Sequence, residues 1–265
     1  MKLTDLPACT RVTNTLSELV TELTLDLERV ADWVKNNKLV LNVAKTKSIV
    51  FGTRHMLTSD PQLHLSMSGI PIEQVKKTKL LGVLLDSELS WSDHIDGTVS
   101  KMGRGIAMVR KCSNYLTTSV MGQVIQSLVF CHLHYCPVVW SAATQADLNK
   151  LQLVQNRAAR LALHCSTRTN IEYMHTQLSW LTVKSKLQCS ILMFMRNIIL
   201  NETPDYFIKQ IAKSSDRHNH NTRSASLGHL TFPAPKTNRL KQTVMYRAIA
   251  LWNMLPPHIN ISLNK

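Results

Sequence analysis

A chain of 265 residues with 44% hydrophobic and 6% aromatic content can bury a core built on Leu, Ile, Val and Met, which excludes wholesale disorder. Its formal net charge is +14, and the excess is lopsided: residues 1–100 hold 11 Lys/Arg against 12 Asp/Glu, whereas 101–265 hold 20 against 5. That distribution points to a polyanionic partner, nucleic acid before an anionic membrane surface, and the longest apolar stretch, 191–200, is broken by Arg196 and Asn197 and is too short to span a bilayer.

In chain order, residues 1–13 show no periodicity and read as an irregular leader. Lys2, Asp5 and Pro7 precede no apolar run, so no signal peptide is expected. From Thr15 onward Leu16, Leu19, Leu23, Leu27, Val30 and Val34 recur at steps of three and four, which predicts an amphipathic helix of about six turns. Thr15 and Glu18 have capping-box spacing, and Asn36 and Asn37 supply the stop. The period then changes. Leu39, Leu41 and Val43 alternate, residues 47–51 read as a strand ending at Gly52, and 53–61 is a polar loop. Segments 63–67 and 70–75 flank Ser68 and Gly69 as a hairpin, and 80–85 reads as a short apolar strand. Residues 39–86 are thus expected to be β-rich. Beyond Asp86 the pattern is helical and basic. Helices are expected near 93–112, 117–139, 145–164, 169–178, 184–200 and, shorter, 204–212. A polar loop follows at 213–224, Pro233 and Pro235 prolong the irregular region, and a last helix from about 243 to 255 stops at Pro256 and Pro257.

Six cysteines (Cys9, Cys112, Cys131, Cys136, Cys165 and Cys189) lie mostly inside apolar helical patterns. They read as reduced core thiols rather than a disulfide framework. The block from Cys131 to Cys136 also holds His132 and His134, and His164 precedes Cys165, so the donor types of a zinc site are present. On a helix, residues 131 and 134 share a face while 136 lies well round from it, which disfavours convergence on one metal. His218 and His220 lie in the polar loop beside Arg217 and Arg223 and read as solvated. Trp33, Trp91, Trp140, Trp180 and Trp252 are too widely spaced for a base-stacking platform and read as core anchors. There is no Ser-His-Asp arrangement, Gly-rich phosphate loop or dinucleotide fingerprint. The basic residues are better candidates. Lys101, Arg104, Arg110 and Lys111 fall in one expected helix, where 104 and 111 share a face with 101 beside them. Arg157 and Arg160 face together on another. Such stripes can track phosphates.

Four stretches, in this order and spacing, carry a resemblance. They are Asp32-Trp-Val-Lys-Asn-Asn-Lys-Leu-Val-Leu-Asn-Val-Ala-Lys-Thr-Lys-Ser-Ile-Val-Phe51; Lys79-Leu-Leu-Gly-Val-Leu-Leu-Asp86 followed by Leu89-Ser-Trp-Ser-Asp-His-Ile95; Val138-Val-Trp140 with Leu151-Gln-Leu-Val-Gln-Asn-Arg-Ala-Ala-Arg160; and Leu251-Trp-Asn-Met-Leu-Pro256. Together they resemble the C-terminal part of the reverse transcriptases (RNA-directed DNA polymerases) of non-LTR, LINE or jockey-like retrotransposons, over about residues 14–260. The first stretch is similar to the segment after the family's catalytic loop, the second to its primer-grip strand and the lead into the thumb, and the third to its thumb and post-thumb helices.

The resemblance implies an α+β fold: a small β-rich palm remnant followed by a mostly α-helical thumb and C-terminal region. The expected divisions are a leader at 1–13, the palm remnant at 14–92, a helical basic thumb and post-thumb region at 93–212, and a loop-rich C-terminal segment with a final helix at 213–265. In this family two divalent metals, Mg²⁺, sit on paired aspartates and activate the primer hydroxyl. This sequence has no Asp-Asp pair anywhere, and it reads as a piece cut off downstream of that loop. No catalytic residue, metal ligand or cofactor is therefore expected in it. Lys45 matches the family's Lys-Thr position near the incoming triphosphate, and Leu81, Gly82 and Val83 match the primer grip. The expected function is binding of RNA, DNA or RNA–DNA hybrid without polymerisation, through Lys45, Gly82, Lys101, Arg104, Arg110, Lys111, Arg157 and Arg160. The expected setting is the cytoplasm or nucleus, with no membrane partner. The rival readings are a nucleic-acid-binding module retained by a host and a helical interaction protein with incidental charge.

Overall fold

The computed structural model describes residues 16–201, 204–209, 211, 229–233 and 238–256. The chain is α+β and mostly helical, and it divides into two compact units, Met1–His94 and Ile95–Lys265.

The first unit is organised by helix α1 (Leu16–Asn36). Leu23 and Leu27 on its inner stripe bury with Leu63, Leu65, Met67 and Ile72, and Leu41, Val43 and Val50 cover the margin. The helix stops where the asparagines foretell. Asn37 Nδ2 turns back to donate to the Trp33 carbonyl at 2.8 Å, and Lys38 adopts φ 54°. Thr15, the other half of the expected capping box, lies outside the described residues.

The strands are shorter than the alternation predicts. Residues 39–43 form none; Asn42 instead caps a 3-10 turn, Val43–Lys45, by accepting the Lys45 N–H. β1 keeps only Lys47–Ser48 of the expected 47–51. Within the expected loop, Thr53 caps the one-turn helix α2 (Arg54–Leu57). β2 (Ser66–Met67) and β3 (Ile70–Pro71) form the expected hairpin about Ser68 and Gly69. β4 (Glu73–Gln74) runs parallel to β1.

The expected strand at 80–85 is instead a hairpin. β5 (Lys77–Leu80) and β6 (Val83–Asp86) pair antiparallel, and the chain reverses at Leu81 (φ 45°) and Gly82 (φ 87°). Two successive positive φ angles define the two-residue turn that suits strand twist. A leucine in the place usually taken by Asn or Asp hides that turn in the sequence. After β6 the Asp86 carboxylate accepts N–H groups from Glu88, Ser90 and Trp91 and so shapes the bend before the next helix. His94 Nδ1 accepts the Leu84 N–H at 3.3 Å.

Helix α3 (Ser92–Cys112) follows. In the second unit the apolar run expected as one helix over 117–139 is three pieces: α4 (Thr118–Leu128), α5 (Cys131–His134) and α6 (Pro137–Trp140). Pro137 has no N–H to continue a helix and starts α6 instead, after a left-handed Cys136 (φ 45°). The Trp140 Nε1–H donates to the Tyr135 carbonyl across this break at 3.0 Å. α7 (Gln145–Leu163), α8 (Ile171–Leu178) and α9 (Val183–Asn201) lie within two residues of their expected bounds. Thr144 and Asn170 cap the first two, and His164 and Ser179 close them in the left-handed conformation. α10 (Asp205–Ile208) and α11 (Asn238–Lys241) are single turns, and α12 (Val244–Asn253) is the last helix. Ile191, Met195 and Ile198 of α9 pack on Met245, Ala248, Ile249 and Trp252 of α12, with Leu230 beneath. Asn253 clasps Leu230 by accepting its N–H and donating to its carbonyl, both at 2.9 Å.

Two readings of the sequence need correction. The cysteines are free but not core thiols: Cys112, Cys131, Cys136 and Cys189 are exposed and Cys165 is half-buried, while Cys9 lies outside the described residues. Cys112, Cys131, Cys136 and Cys189 sit in or beside an apolar pattern but fall on its outer arc, whereas Cys165 Sγ lies 3.4 Å from Sδ of the buried Met174. Trp91, Trp140 and Trp252 are core anchors, whereas Trp33 is 54% exposed on the outer side of α1, next to the buried Val34. Among the described residues, no helix is long and apolar enough to cross a membrane.

Candidate nucleic-acid interface

Helix α3 is built so that its charges face outward. Ile95, Met102, Ile106 and Val109 are buried on one side. Lys101, Arg104 and Lys111 are exposed on the other. Arg110 is exposed too, but at about 100° per residue it lies on the opposite flank from Lys101. Three of the four expected cations therefore share a face and the fourth does not. Arg104 is steadied by donating from Nη1 to Ser100 Oγ at 3.3 Å, one turn earlier.

Gly105 permits a close approach on the buried side. A Cβ there would lie 3.1 Å from both the Leu128 carbonyl oxygen and Val129 Cγ2. The end of α4 thus rests on α3, and α5 follows at once. His132 on α5 comes under the charges of Lys101 and Arg104: burial, then those two cations, push its imidazole below the ordinary value. Sequence reading missed this residue as a companion of α3. In the sequence His132 belongs only to the Cys131–Cys136 block, and no spacing rule links 132 to 101.

On α7, Leu151, Val154, Ala158, Ala159 and Ala162 are buried. Arg157 is exposed, and Arg160 is half-buried with its Nε enclosed and unbonded. The polar residues of this stretch serve the fold. Gln152 Nε2 donates to Gln155 Oε1 at 3.0 Å and to Asn156 Oδ1 at 2.9 Å. Gln152 Oε1 accepts the Val183 N–H at 2.9 Å, and Gln155 Nε2 donates to the Leu181 carbonyl at 2.9 Å. Asn156 Oδ1 also meets His175 Nε2 at 3.0 Å. Three amides on one helix therefore fix the entry to α9 and the flank of α8. A run of Gln-x-x-Gln-Asn inside an apolar helix is the sequence signal for such a network.

Lys45 is exposed at the end of its 3-10 turn, and Gly82 sits in the β5–β6 turn. Both belong to the first unit, whereas Lys101, Arg104, Arg110, Lys111, Arg157 and Arg160 belong to the second.

Ion pairing separates two classes of cation. Lys76 pairs with Asp60 at 3.2 Å, Lys77 with Asp93 at 2.5 Å, and Lys150 with Asp96 at 2.7 Å and Asp147 at 2.9 Å; Lys47 pairs with Glu73. Among the described residues, Lys45, Lys101, Arg104, Arg110, Lys111, Arg157 and Arg160 make no ion pair. Unpaired, outward cations are the groups a polyanion can recruit without first breaking a salt bridge.

The sequence has no Asp-Asp pair, and among the described residues no three His, Cys, Asp or Glu side chains come together to hold a metal ion.

Comparison with known proteins gives two related matches. The chain is 24% identical over 164 residues to a probable RNA-directed DNA polymerase from transposon BS of Drosophila melanogaster, covering 61% of this chain and 18% of the relative. It is 22% identical over 158 residues to a probable RNA-directed DNA polymerase from transposon X-element of the same organism, covering 58% of this chain and 17% of the relative. The matched stretch thus spans less than a fifth of either relative's length. No protein-family model matches the chain, and no solved structure does.

Proposed function

The chain is related to the RNA-directed DNA polymerases of non-LTR retrotransposons, and from that kinship we propose that it binds RNA or RNA–DNA hybrid through its second unit and does not extend a primer by itself. Residues 14–92 are then a palm remnant and 93–212 a thumb and post-thumb region. The observation that carries the reading is the outer face of α3, where Lys101, Arg104 and Lys111 stand exposed and without an ion pair among the described residues. Phosphate contacts from such a face give affinity without sequence preference. Arg157 on α7 adds a further exposed cation. Lys45 and Gly82 belong to the other unit, and their part in binding rests on the resemblance alone. Metal-assisted phosphoryl transfer needs converging carboxylates, which this sequence does not supply through an Asp-Asp pair.

The test is primer extension on an RNA template with purified protein and Mg²⁺, with hybrid affinity measured in the same samples at two salt concentrations. The expected result is no incorporation above a heat-killed control, together with affinity that falls steeply with salt. Incorporation refutes the absence of polymerisation. Binding that ignores salt, or no binding, refutes the phosphate interface.

A further inference from the structure

The outer face of α3 carries on past the last regular turn of the helix. Ser113 Oγ donates to the Arg110 carbonyl at 2.8 Å, and the 3-10 turn Ser113–Tyr115 follows without a break. Ser113 is buried in phase with Met102, Ile106 and Val109, as it should be if the helical rotation of about 100° per residue continues. Two residues on, Tyr115 therefore points to the other side. There it falls with Lys101, Arg104, Met108 and Lys111 inside an arc of about 80°. Steps of three and four join the five residues into one stripe, roughly 20 Å long.

Every member of the stripe is exposed, Met108 to 62% and Tyr115 to 88%. Its cations make no ion pair among the described residues, and no Asp or Glu occurs anywhere from 97 to 146. The Tyr115 ring stacks on no other ring among the described residues. Uncompensated positive charge along the stripe disfavours an apolar helix as its partner and suits a polyanion. An exposed thioether and phenol set among the cations give that polyanion's apolar parts something to cover.

Building on the nucleic-acid reading above, we propose that a single strand runs along this stripe, its phosphates on Lys101, Arg104 and Lys111 and one unpaired base stacked on the Tyr115 ring. A basic track beside an exposed aromatic holds single strands without regard to sequence, because every base has a face to stack. Met108 offers a polarizable apolar surface midway. In a duplex the faces of the bases are covered by their neighbours, so a paired strand reaches the cations but not the ring. The site therefore prefers unpaired RNA. The preference resides in Tyr115 and the salt dependence in the cations.

The test is anisotropy of a labelled single-stranded RNA and of a blunt RNA–DNA hybrid of the same length, titrated with the full chain across a salt series. Y115A is expected to weaken single-strand binding at least about fivefold, the lower end of what one base–aromatic stack supplies, and to leave hybrid affinity unchanged. Y115F keeps the ring and is expected to match the wild-type protein. K111Q is expected to weaken both probes and to lower the salt slope by about one. Equal loss on both probes in Y115A, or loss on neither, overturns the stacking and leaves the proposed function standing. An unchanged K111Q overturns the track along α3. Absence of salt-sensitive binding to either probe overturns the proposed function as well. Should Y115A fail to fold, NMR of the wild-type protein decides: the Tyr115 ring protons must move upfield under the ring current of a stacked base on saturation with single-stranded RNA, and unmoved resonances overturn the proposal.

Discussion

Asp86 holds Ser90 by both of its polar hydrogens: the N–H reaches Oδ1 at 3.0 Å and the hydroxyl reaches Oδ2 at 3.1 Å. With the N–H groups of Glu88 and Trp91 also turned onto this carboxylate, Asp86 fixes the bend that delivers the chain from the β5–β6 hairpin into α3. Burial raises its proton affinity, but the Ser90, Trp91 and Glu88 hydrogen bonds outweigh that and hold the carboxyl below its ordinary value. A depressed carboxylate stabilises the fold above the unfolded value of about 4, and that contribution is lost as pH falls through the folded value. Asp86→Asn turns a donor toward donors and should cost about 2 kcal/mol at neutral pH. Denaturant unfolding should show the wild-type and variant proteins converging in acid. A gap that persists there would count against this account.

Asn156 is the shared acceptor of the α7 network, taking Gln152 and His175 together. Asn156→Ala leaves buried donors unmet and should cost about 2–3 kcal/mol. Burial lowers the proton affinity of His175, partly opposed by the Trp180 backbone. The unfolded chain then binds the proton more readily, so this contribution is present above pH about 6.5 and is lost as pH drops below it. Melting curves across that range should fall on the acid side in the wild-type protein and be flatter in His175→Gln.

Two of the three glycines of α3, Gly103 and Gly105, should respond in opposite ways to alanine. Gly103 has open space where a methyl group would stand, so Gly103→Ala gains about 0.5–1 kcal/mol from helix propensity. Gly105 meets the Leu128 backbone oxygen, which cannot rotate away, so Gly105→Ala should lose about 1–2 kcal/mol. Thermal denaturation of the pair checks the α3–α4 contact directly. Equal shifts would mean that the close approach is absent.

Leu81 is 61% exposed in a left-handed conformation at the first position of the hairpin turn. Leu81→Asn should stabilise the protein by about 0.5–1 kcal/mol, because Asn tolerates positive φ and the leucine gains little from burial. Gly82→Ala should destabilise by a similar or larger amount. If the hairpin is part of a nucleic-acid grip, Leu81→Asn separates the roles, since a loss of affinity alongside a gain in stability marks a contact residue.

Hydrogen exchange should be faster over 39–86 than over 93–200. The described strands of the first unit are two to four residues long, in three two-stranded sheets, so every strand has an open edge. The helices of the second unit bond internally and bury full apolar stripes. Equal protection in both segments would contradict the fold described.

The helices were legible because their apolar steps of three and four persist over many turns, as in Leu16 to Val34 and Ile191 to Ile198. The single helix expected over 117–139 failed because continuous apolarity masks breaks; Pro137 is the one residue there whose chemistry marks the interruption. The strand pattern over 39–43 failed for a different reason: alternation over four or five residues also fits a capped turn that half-buries every second side chain. For the interface, outward positions on α3 followed from spacing alone, while Arg110 needed the angle worked through. The residues of the 213–224 loop, with His218 and His220, lie outside the described residues.

The pairing of β1 with β4 has a kinetic meaning. Lys47 meets Glu73 only after the chain between them has closed on itself, whereas the β5–β6 hairpin closes across Leu81 and Gly82 alone. Hairpins of that kind form in about 1–10 μs, and each longer closure carries an added entropic cost before any contact repays it. The order of assembly in the first unit should therefore run from its C-terminal hairpin backward, with the parallel bridge as the final closure.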